Sequence, residues 1–180
     1  TNIARDVGED ARAGRLYLPR QWMREAGLDP DAWLAAPAFS PEIAQIVSRL
    51  LQHADELYRR SDAGIAALPV AFRPAIYAAR LLYAEIGEGI ARAGFDSVSS
   101  RSVVPASRKL HLVARALSRR WRAAPAAELN APALPQTMFL VDAVVAAEHA
   151  SPAAIRSVRH DVRWVMDLFA ALDERPRRLA

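Results

Sequence analysis

Apolar residues recur along the chain at intervals of three or four, and no segment shows the strict apolar–polar alternation that is typical of a β-strand. The longest such pattern begins at Ser40–Pro41 and continues through Tyr58, and serine before proline is typical of a helix N-terminus. We expect this helix to end near residues 62–64, and a second long helix to span 70–93 and end at Gly94. The pattern therefore predicts an all-α protein.

Shorter helices are predicted around these two, each bounded by glycine, proline or a capping residue. They are expected over 1–13, 22–26, a short segment after Asp29–Pro30, 105–121, 136–148 and 152–173. The chain is thus predicted to comprise a helical bundle over 1–122, an Ala/Pro-rich linker over 123–135, and a C-terminal helical pair over 136–175 that packs on or beside the bundle.

The composition narrows the kinds of site that the chain can carry. It has 180 residues, of which 52% are hydrophobic and none is cysteine, so disulfides, thiolate catalysis and zinc–thiolate sites are excluded. The four histidines lack the spacing of a zinc site, and the GxSxG, P-loop and GxGxxG motifs do not occur. No apolar run reaches the roughly 18 residues of a membrane-spanning helix, so none is predicted.

Three oxygen-bearing side chains, Asn2, Asp6 and Asp10, recur at a spacing of four residues near the start of the chain. On a helix this spacing places them on one face, in consecutive turns. Two carboxylates and an amide are suitable ligands for Mg²⁺, which is often shared with substrate phosphates. Arg5 and Arg15 lie close in sequence, and arginine is well shaped for phosphate. The alternative is a solvated acidic stripe whose arginines form ordinary salt bridges.

The compound pattern around these residues resembles the second aspartate-rich signature of the squalene and phytoene synthases. The signature has an arginine before the first aspartate, here Arg5–Asp6, and closes with Arg-x-Tyr-x-Pro, here Arg15, Tyr17 and Pro19. Further segments are similar to the family downstream: Glu56–Tyr58, Gly64–Ile65, Leu68–Pro69, Leu82–Tyr83, Glu85–Ile86, Gly94–Asp96, Arg101 and Lys109–Leu110. The likeness covers residues 1–120, and the bacterial phytoene synthases fit best.

The resemblance implies part of an all-α, isoprenoid-synthase-type helical bundle around one cavity. It implies a prenyltransferase that condenses two geranylgeranyl diphosphates head to head into phytoene, through a cyclopropyl diphosphate, in carotenoid biosynthesis. It also implies residue roles: Asn2, Asp6 and Asp10 as ligands of Mg²⁺ or Mn²⁺; Asp6, Asp10 and Tyr83 in catalysis; and Arg5, Arg15, Tyr17 and Arg101 at the diphosphates. No nicotinamide cofactor is expected, because phytoene formation, unlike squalene formation, needs no reductant.

The first aspartate-rich motif of the family has no counterpart in this chain. We therefore expect the chain to be the C-terminal half of a longer enzyme, inactive by itself and partnered by its missing N-terminal half. Two other readings stay open within the family. One is a squalene or hydroxysqualene synthase-like enzyme with shorter substrates, and the other is a non-catalytic relative that acts as an assembly or scaffold protein.

Several of the candidate site residues also have purely structural explanations. Arg5 lies four residues before Glu9 and is placed to form a salt bridge with it. Tyr83 lies on an apolar helix face and is explained equally by a place in the core, and Arg101 by a loop charge.

The basic residues are concentrated in one part of the chain. The net charge is +4, and seven bases lie between residues 101 and 122, among them Lys109, the single lysine. A basic helix is compatible with nucleic-acid binding, but the sequence contains no known nucleic-acid-recognition motif. A face toward anionic lipid, or a plain solvated face, explains the charge better. We expect a cytoplasmic protein with peripheral contact to the inner membrane and no nucleic-acid partner.

Overall fold

The computed structural model describes residues 1–119, 121, 123 and 126–150, and every regular element within these residues is helical. The helices are α1 (Asn2–Arg5), α2 (Val7–Arg12), α3 (Arg20–Glu25), α4 (Pro30–Ala35), α5 (Pro41–Ala67), α6 (Arg73–Arg92), α7 (Ala106–Arg119), α8 (Ala126–Leu129) and α9 (Met138–Ala150), the last preceded by a 3₁₀ turn at Pro135–Thr137. The prediction of an all-α protein is confirmed. The helix predicted over 152–173 lies outside the described residues.

Local signals in the sequence explain where several helices begin. The Asp29 carboxylate accepts hydrogen bonds from the backbone N–H groups of Asp31 and Ala32, at 2.9 and 2.7 Å, and so caps α4. Ser40 caps α5 in the same way, with its hydroxyl oxygen 3.4 Å from the N–H of Ile43. These caps satisfy backbone donors that have no partner inside the helix.

The long helix α5 continues to Ala67, so the prediction that it ends near 62–64 is wrong. Gly64 weakens a helix interior, but its neighbours Ala63 and Ile65 are buried, and their burial offsets that cost. The helix ends where Leu68 takes an extended conformation before proline. The next helix begins at Arg73 rather than at residue 70, after a turn in which the N–H of Phe72 donates to the Pro69 carbonyl at 3.0 Å.

The helix predicted over 1–13 is interrupted at Asp6, which separates α1 from α2 with φ −101° and ψ 16°. The cause is a tertiary hydrogen bond. The N–H of Gly8, which in a continuous helix would bond to the carbonyl of residue 4, donates instead to the carbonyl of Ser97 at 3.0 Å. Regular bonds remain on either side, from the N–H of Asp6 to the Asn2 carbonyl and from the N–H of Asp10 to the Asp6 carbonyl, at 2.9 and 2.8 Å.

The chain divides into two compact units, Thr1–Ala131 and Pro132–Ala180. The boundary falls within the stretch predicted as a linker, which also contains α8, and the predicted split into a bundle and a helical pair stays a prediction. Within the described residues, no helix combines the length and hydropathy needed to cross a bilayer.

Two clusters of buried apolar side chains form the core of the first unit. The larger joins α1, α2, α3, α5, α6 and the loop after α6, and includes Ala4, Val7, Met23, Ile43, Val47, Ile90 and Val98. The smaller joins α5, α6 and α7 and comprises Ile65, Tyr77, Leu81, Leu112 and Ala116. Since α5 and α6 contribute to both, they form the scaffold on which α1, α2 and the loop before α7 are placed.

Candidate active site

A cavity of about 320 Å³ lies between α1, α6 and the segment that leads into α7. Its lining comprises Arg5, Leu82, Tyr83, Ile86, Arg101, Ser102, Val103, Val104 and Lys109. The lining combines aliphatic side chains with three cations and a phenol. Three of the residues that the sequence singled out, Arg5, Tyr83 and Arg101, are therefore brought together.

Asp6 is held by two arginines of this cavity. Arg5 forms a two-point contact with it, from Nε to Oδ1 and from Nη2 to Oδ2, each at 2.7 Å. Arg101 reaches the same carboxylate from the loop after α6, with Nε 3.0 Å from Oδ1. The hydrogen bond from Arg5 is the main cause that lowers the pKa of Asp6, assisted by the charge of Arg101 and opposed by partial burial.

The ion pairs around Glu9 differ from the structural alternative considered for Arg5. Arg5 pairs with its sequence neighbour Asp6, and Glu9 lies 3.5 Å from the Nε of Arg101 instead. Arg101 is therefore shared by two carboxylates of the α1–α2 segment and is more than a loop charge. Tyr83 is 40% exposed and faces the cavity, which a core aromatic would not.

The remaining predicted site residues lie on the same segment but do not line the cavity. Asp10 pairs with Arg15, whose Nη2 is 3.2 Å from Oδ1. Asn2 and Tyr17 are exposed, and Tyr17 retains 54% of its accessible surface. The backbone bonds from Asp6 to Asn2 and from Asp10 to Asp6 keep the three predicted metal ligands one helical turn apart despite the interruption.

The donor chemistry of this stripe suits a hard cation in part. Asn2, Asp6 and Asp10 offer an amide and two carboxylates, and Mg²⁺ commonly takes one or two carboxylates and completes its shell with water and phosphate oxygens. Across the part of the chain that the structure describes, no group of three or more acidic, histidine or cysteine side chains is arranged to hold a metal. The stripe thus offers the donor types that Mg²⁺ prefers, and water or phosphate oxygens would have to complete the shell of such an ion.

Two residues near the cavity were not predicted as site residues. Lys109 lines it from the first turn of α7. Glu85 is almost buried on α6 and accepts hydrogen bonds from Arg108 at 2.8 Å and from Arg92 at 3.1 Å, which ties α7 to α6 beside the cavity. The sequence does carry a signal for Glu85, because it occurs four residues after Leu81 on the face of α6 that is otherwise apolar.

The loop that carries Arg101 is fixed by its own hydrogen bonds. The Asp96 carboxylate accepts from the N–H groups of Val98 and Ser99, at 3.0 and 2.9 Å, in an Asx turn. Val98 is buried in the larger core cluster, and its carbonyl accepts a hydrogen bond from Nη1 of Arg12 at 3.2 Å. The loop is thus anchored on α2 shortly before Arg101.

Comparisons with known proteins place these residues in a familiar context. Residues 1–116 match the family model described as squalene/phytoene synthase. A phytoene synthase of Cereibacter sphaeroides is 48% identical over 150 residues, covering 82% of this chain and 42% of the relative. A phytoene synthase of Rhodobacter capsulatus is 51% identical over 114 residues, covering 63% and 34%, and a 15-cis-phytoene synthase of Pantoea ananas is 38% identical over 129 residues, covering 69% and 41%. The chain thus spans less than half the length of these relatives, and no solved structure matches it significantly.

Proposed function

Because the chain belongs to the squalene/phytoene synthase family, we propose that it supplies one half of the active site of a phytoene synthase. The reaction would join two geranylgeranyl diphosphates head to head into phytoene, through a cyclopropyl diphosphate, in carotenoid biosynthesis. The observation that carries this proposal is the convergence of Arg5 and Arg101 on Asp6 at the rim of a cavity that Tyr83 also lines.

The cations of the cavity would bind the diphosphate of the substrate. Arg5, Arg101 and Lys109 line the same cavity, and guanidinium matches phosphate oxygens in a two-point geometry. Tyr83 would donate its hydroxyl to a diphosphate oxygen. We further propose that Arg15, which pairs with Asp10, and the exposed Tyr17 contact the diphosphate from outside the cavity.

Asn2, Asp6 and Asp10 would hold Mg²⁺, or Mn²⁺ in its place, together with oxygens of the diphosphate. A metal bound there would neutralise negative charge on the departing diphosphate. In the described structure the Asp6 carboxylate is neutralised by Arg5 and Arg101. If Asp6 held the cation, the guanidinium groups of Arg5 and Arg101 would be available to bind the diphosphate.

The aliphatic residues of the lining would face the reacting prenyl carbons. Leu82, Ile86 and Val104 carry no lone pairs that would trap an allylic cation, and they would exclude water from the region where it forms. The cationic residues of the lining would act on the diphosphate. A cavity lined by both kinds of side chain supports a reaction in which diphosphate departs and a carbon–carbon bond forms.

We propose that the segment preceding the matched region in the longer relatives completes this cavity. Large apolar side chains are exposed in the described residues on the elements that form the cavity or directly before them: Phe72 at 63%, Ile76 at 45%, Val103 at 73% and Leu110 at 73%. Exposed apolar area of this kind is typical of a surface that another element covers.

We also propose peripheral contact with the membrane. The exposed Leu117 and Trp121 lie among the bases of α7 and of the residues after it, and they would rest against anionic lipid at the inner membrane, with the protein otherwise cytoplasmic.

Nucleic-acid binding is less well supported. Two members of the basic stretch, Arg101 and Arg108, form ion pairs with Asp6 and Glu85. Part of the charge of the stretch is therefore already balanced by carboxylates of the same chain, which leaves less of it for the phosphates of a nucleic acid. Binding to DNA that weakens steeply with salt and ignores Mg²⁺ would contradict this interpretation.

The proposal is tested by product analysis. The chain is joined behind the part of the Cereibacter sphaeroides phytoene synthase that precedes the matched region, and the resulting enzyme is given radiolabelled geranylgeranyl or farnesyl diphosphate, with Mg²⁺ or with a chelator. We expect a C40 hydrocarbon from geranylgeranyl diphosphate when Mg²⁺ is present, and no product when the chelator is present. A C30 product formed in preference would indicate a squalene-type or hydroxysqualene-type enzyme, and no product from a folded helical protein would indicate a non-catalytic relative.

A further inference from the structure

The backbone of the loop after α6 lies against Gly8 at a distance that no side chain permits. A Cβ atom built on Gly8 would lie 2.1 Å from the carbonyl oxygen of Val98, and within 3 Å of the carbonyl carbon and Cα of the same residue. The N–H of Gly8 donates to the Ser97 carbonyl at 3.0 Å across this contact. The approach is therefore a backbone-to-backbone contact, and glycine is required for steric reasons, since Gly8 is not among the residues with positive φ.

A second close glycine contact shows how unusual this one is. A Cβ on Gly89 would meet the hydroxyl oxygen of Ser102 at 2.4 Å, but a serine hydroxyl can rotate away. At Gly8, in contrast, all three nearest atoms belong to the backbone of Val98. Val98 is in turn held by its burial, by the Asp96 turn and by Arg12. A side chain at position 8 would therefore move the loop as a whole.

The contact matters because Arg101 follows Val98 by three residues. On one side of the contact, Gly8 follows Asp6 by two residues; on the other, the loop continues directly to the guanidinium that binds Asp6 at 3.0 Å. Two short stretches of chain thus join the Gly8–Val98 contact to the Asp6–Arg101 ion pair. A shift of the loop at Val98 would therefore also displace Arg101.

We infer that Gly8 is a positioning residue: by carrying no side chain, it sets the distance between the loop and α2 that places the Arg101 guanidinium on Asp6. The inference rests on the proposed function, because Arg101 is taken to act on the diphosphate. It differs from a simple packing role, which predicts lower stability but no selective effect on Arg101. Misplacement of a charged group by about 1 Å is enough to lower turnover by about 100-fold.

The contact itself is tested first in the 180-residue chain, without reference to activity. Gly8→Ala is compared with Gly64→Ala, a matched control in α5 where the added Cβ would meet nothing within 4 Å. Hydrogen exchange followed by mass spectrometry should show faster exchange in peptides covering 95–105 for Gly8→Ala and no change for Gly64→Ala. Unchanged exchange in the Gly8 variant would overturn the inference.

The positioning role is tested in the joined enzyme by a double-mutant cycle. We expect Gly8→Ala and Arg101→Ala each to lower turnover of geranylgeranyl diphosphate by about 100-fold, and the double variant to fall within about threefold of Arg101→Ala, because both changes remove the same interaction. Gly64→Ala should keep the parent rate. Additive losses, or a parent rate in Gly8→Ala, would show that Gly8 does not act through Arg101.

A second variant covers the case in which Gly8→Ala does not fold. One glycine inserted between Ser99 and Ser100 leaves the Gly8–Val98 contact in place but displaces Arg101 along the chain. We expect a loss of turnover close to that of Arg101→Ala, with an unchanged far-UV spectrum, and a neutral insertion would overturn the inference. Absence of product from the parent enzyme would instead refute the proposed function, and with it the positioning role, whereas the exchange data would still report on the contact.

Discussion

The Nε atom of Arg101 lies 3.0 Å from Oδ1 of Asp6, although 95 residues separate the two in sequence. The contact links the loop after α6 to the point where α1 gives way to α2. It assembles the charged side of the cavity from two distant segments, each of which is held by packing elsewhere. The chemistry of the cavity therefore depends on tertiary structure as much as on the aspartate motif.

Replacement of Arg101 by lysine should lower the catalytic efficiency of the joined enzyme by about 10-fold or more. Lysine keeps the charge but loses the planar donor arrangement that serves a carboxylate and a diphosphate. Initial rates over a range of geranylgeranyl diphosphate concentrations measure the effect. Arg115→Lys, on an exposed position of α7, is the control and should match the parent. Equal rates for both variants would remove Arg101 from the site.

Asp6→Asn and Asp10→Asn should each lower Mg²⁺-dependent turnover by more than about 100-fold, which exceeds the 10- to 100-fold loss typical of groups that only orient a metal ligand. Helicity should be unchanged, since neither side chain caps a helix. Mg²⁺ titrations of initial rate, with circular dichroism alongside, provide the measurement. Asp31→Asn, on the surface of α4, serves as the control. Near-parent activity in either site variant would refute the metal assignment.

Tyr83→Phe and Tyr77→Phe should separate a functional from a structural tyrosine. Loss of a hydrogen bond from Tyr83 to a charged diphosphate oxygen predicts a fall in turnover of about 10- to 100-fold with little change in stability. Tyr77 is buried, and its hydroxyl donates to the Asp62 carbonyl at 3.4 Å, so its replacement should lower the free energy of unfolding by about 1 kcal/mol and spare turnover. Reversal of this pattern in rates and urea melts would show that Tyr83 has no role at the diphosphate.

Glu85 should make stability depend on pH in the acidic range. The hydrogen bond from Arg108, and to a smaller extent that from Arg92, lowers the pKa of Glu85 below its ordinary value of 4.5, against the opposing effect of burial. A carboxyl whose pKa is lower in the folded state stabilises the protein above its unfolded pKa, and this contribution is lost as the pH falls through the folded value.

The measurement is the melting temperature between pH 6 and about pH 3. The parent should lose stability below pH 4.5, and Glu85→Gln should show a shallower decrease over that range because residue 85 no longer titrates. Glu88→Gln, at an exposed position on the same helix, is the control and should follow the parent. Identical profiles for the parent and Glu85→Gln would contradict the predicted contribution of Glu85.

Local chemistry was sufficient to predict many elements of the fold. Asp29 and Ser40 cap their helices because a capping bond depends on three or four neighbouring residues. The end of α5 was misplaced because Gly64 was taken as the end of the helix. The residues around Gly64 are buried in the folded chain, and their burial outweighs the low helix propensity of glycine. The interruption at Asp6 has no local signal, since its cause is the carbonyl of Ser97.

The candidate site shows the same division. The stripe of Asn2, Asp6 and Asp10 follows from spacing, whereas Tyr83 and Arg101 were predicted through a family resemblance. Arg101 is joined to the stripe by its ion pair with Asp6, and Tyr83 lines the same cavity as Arg101. Their place at one cavity agrees with the predicted roles, which stay predictions until the variants are measured. Glu85 was not predicted as a site residue because its partner, Arg108, lies on α7 and comes close to it only in the folded chain.

Helix α5 passes through both clusters of the core, with Ile43 and Val47 in one and Ile65 in the other. At about 1.5 Å per residue, its 27 residues form a rod of roughly 40 Å. Because this one helix belongs to both clusters, its two ends should unfold together. The first unit should therefore unfold in a single cooperative transition, and Gly64 marks the point along the rod where that cooperativity is most easily broken.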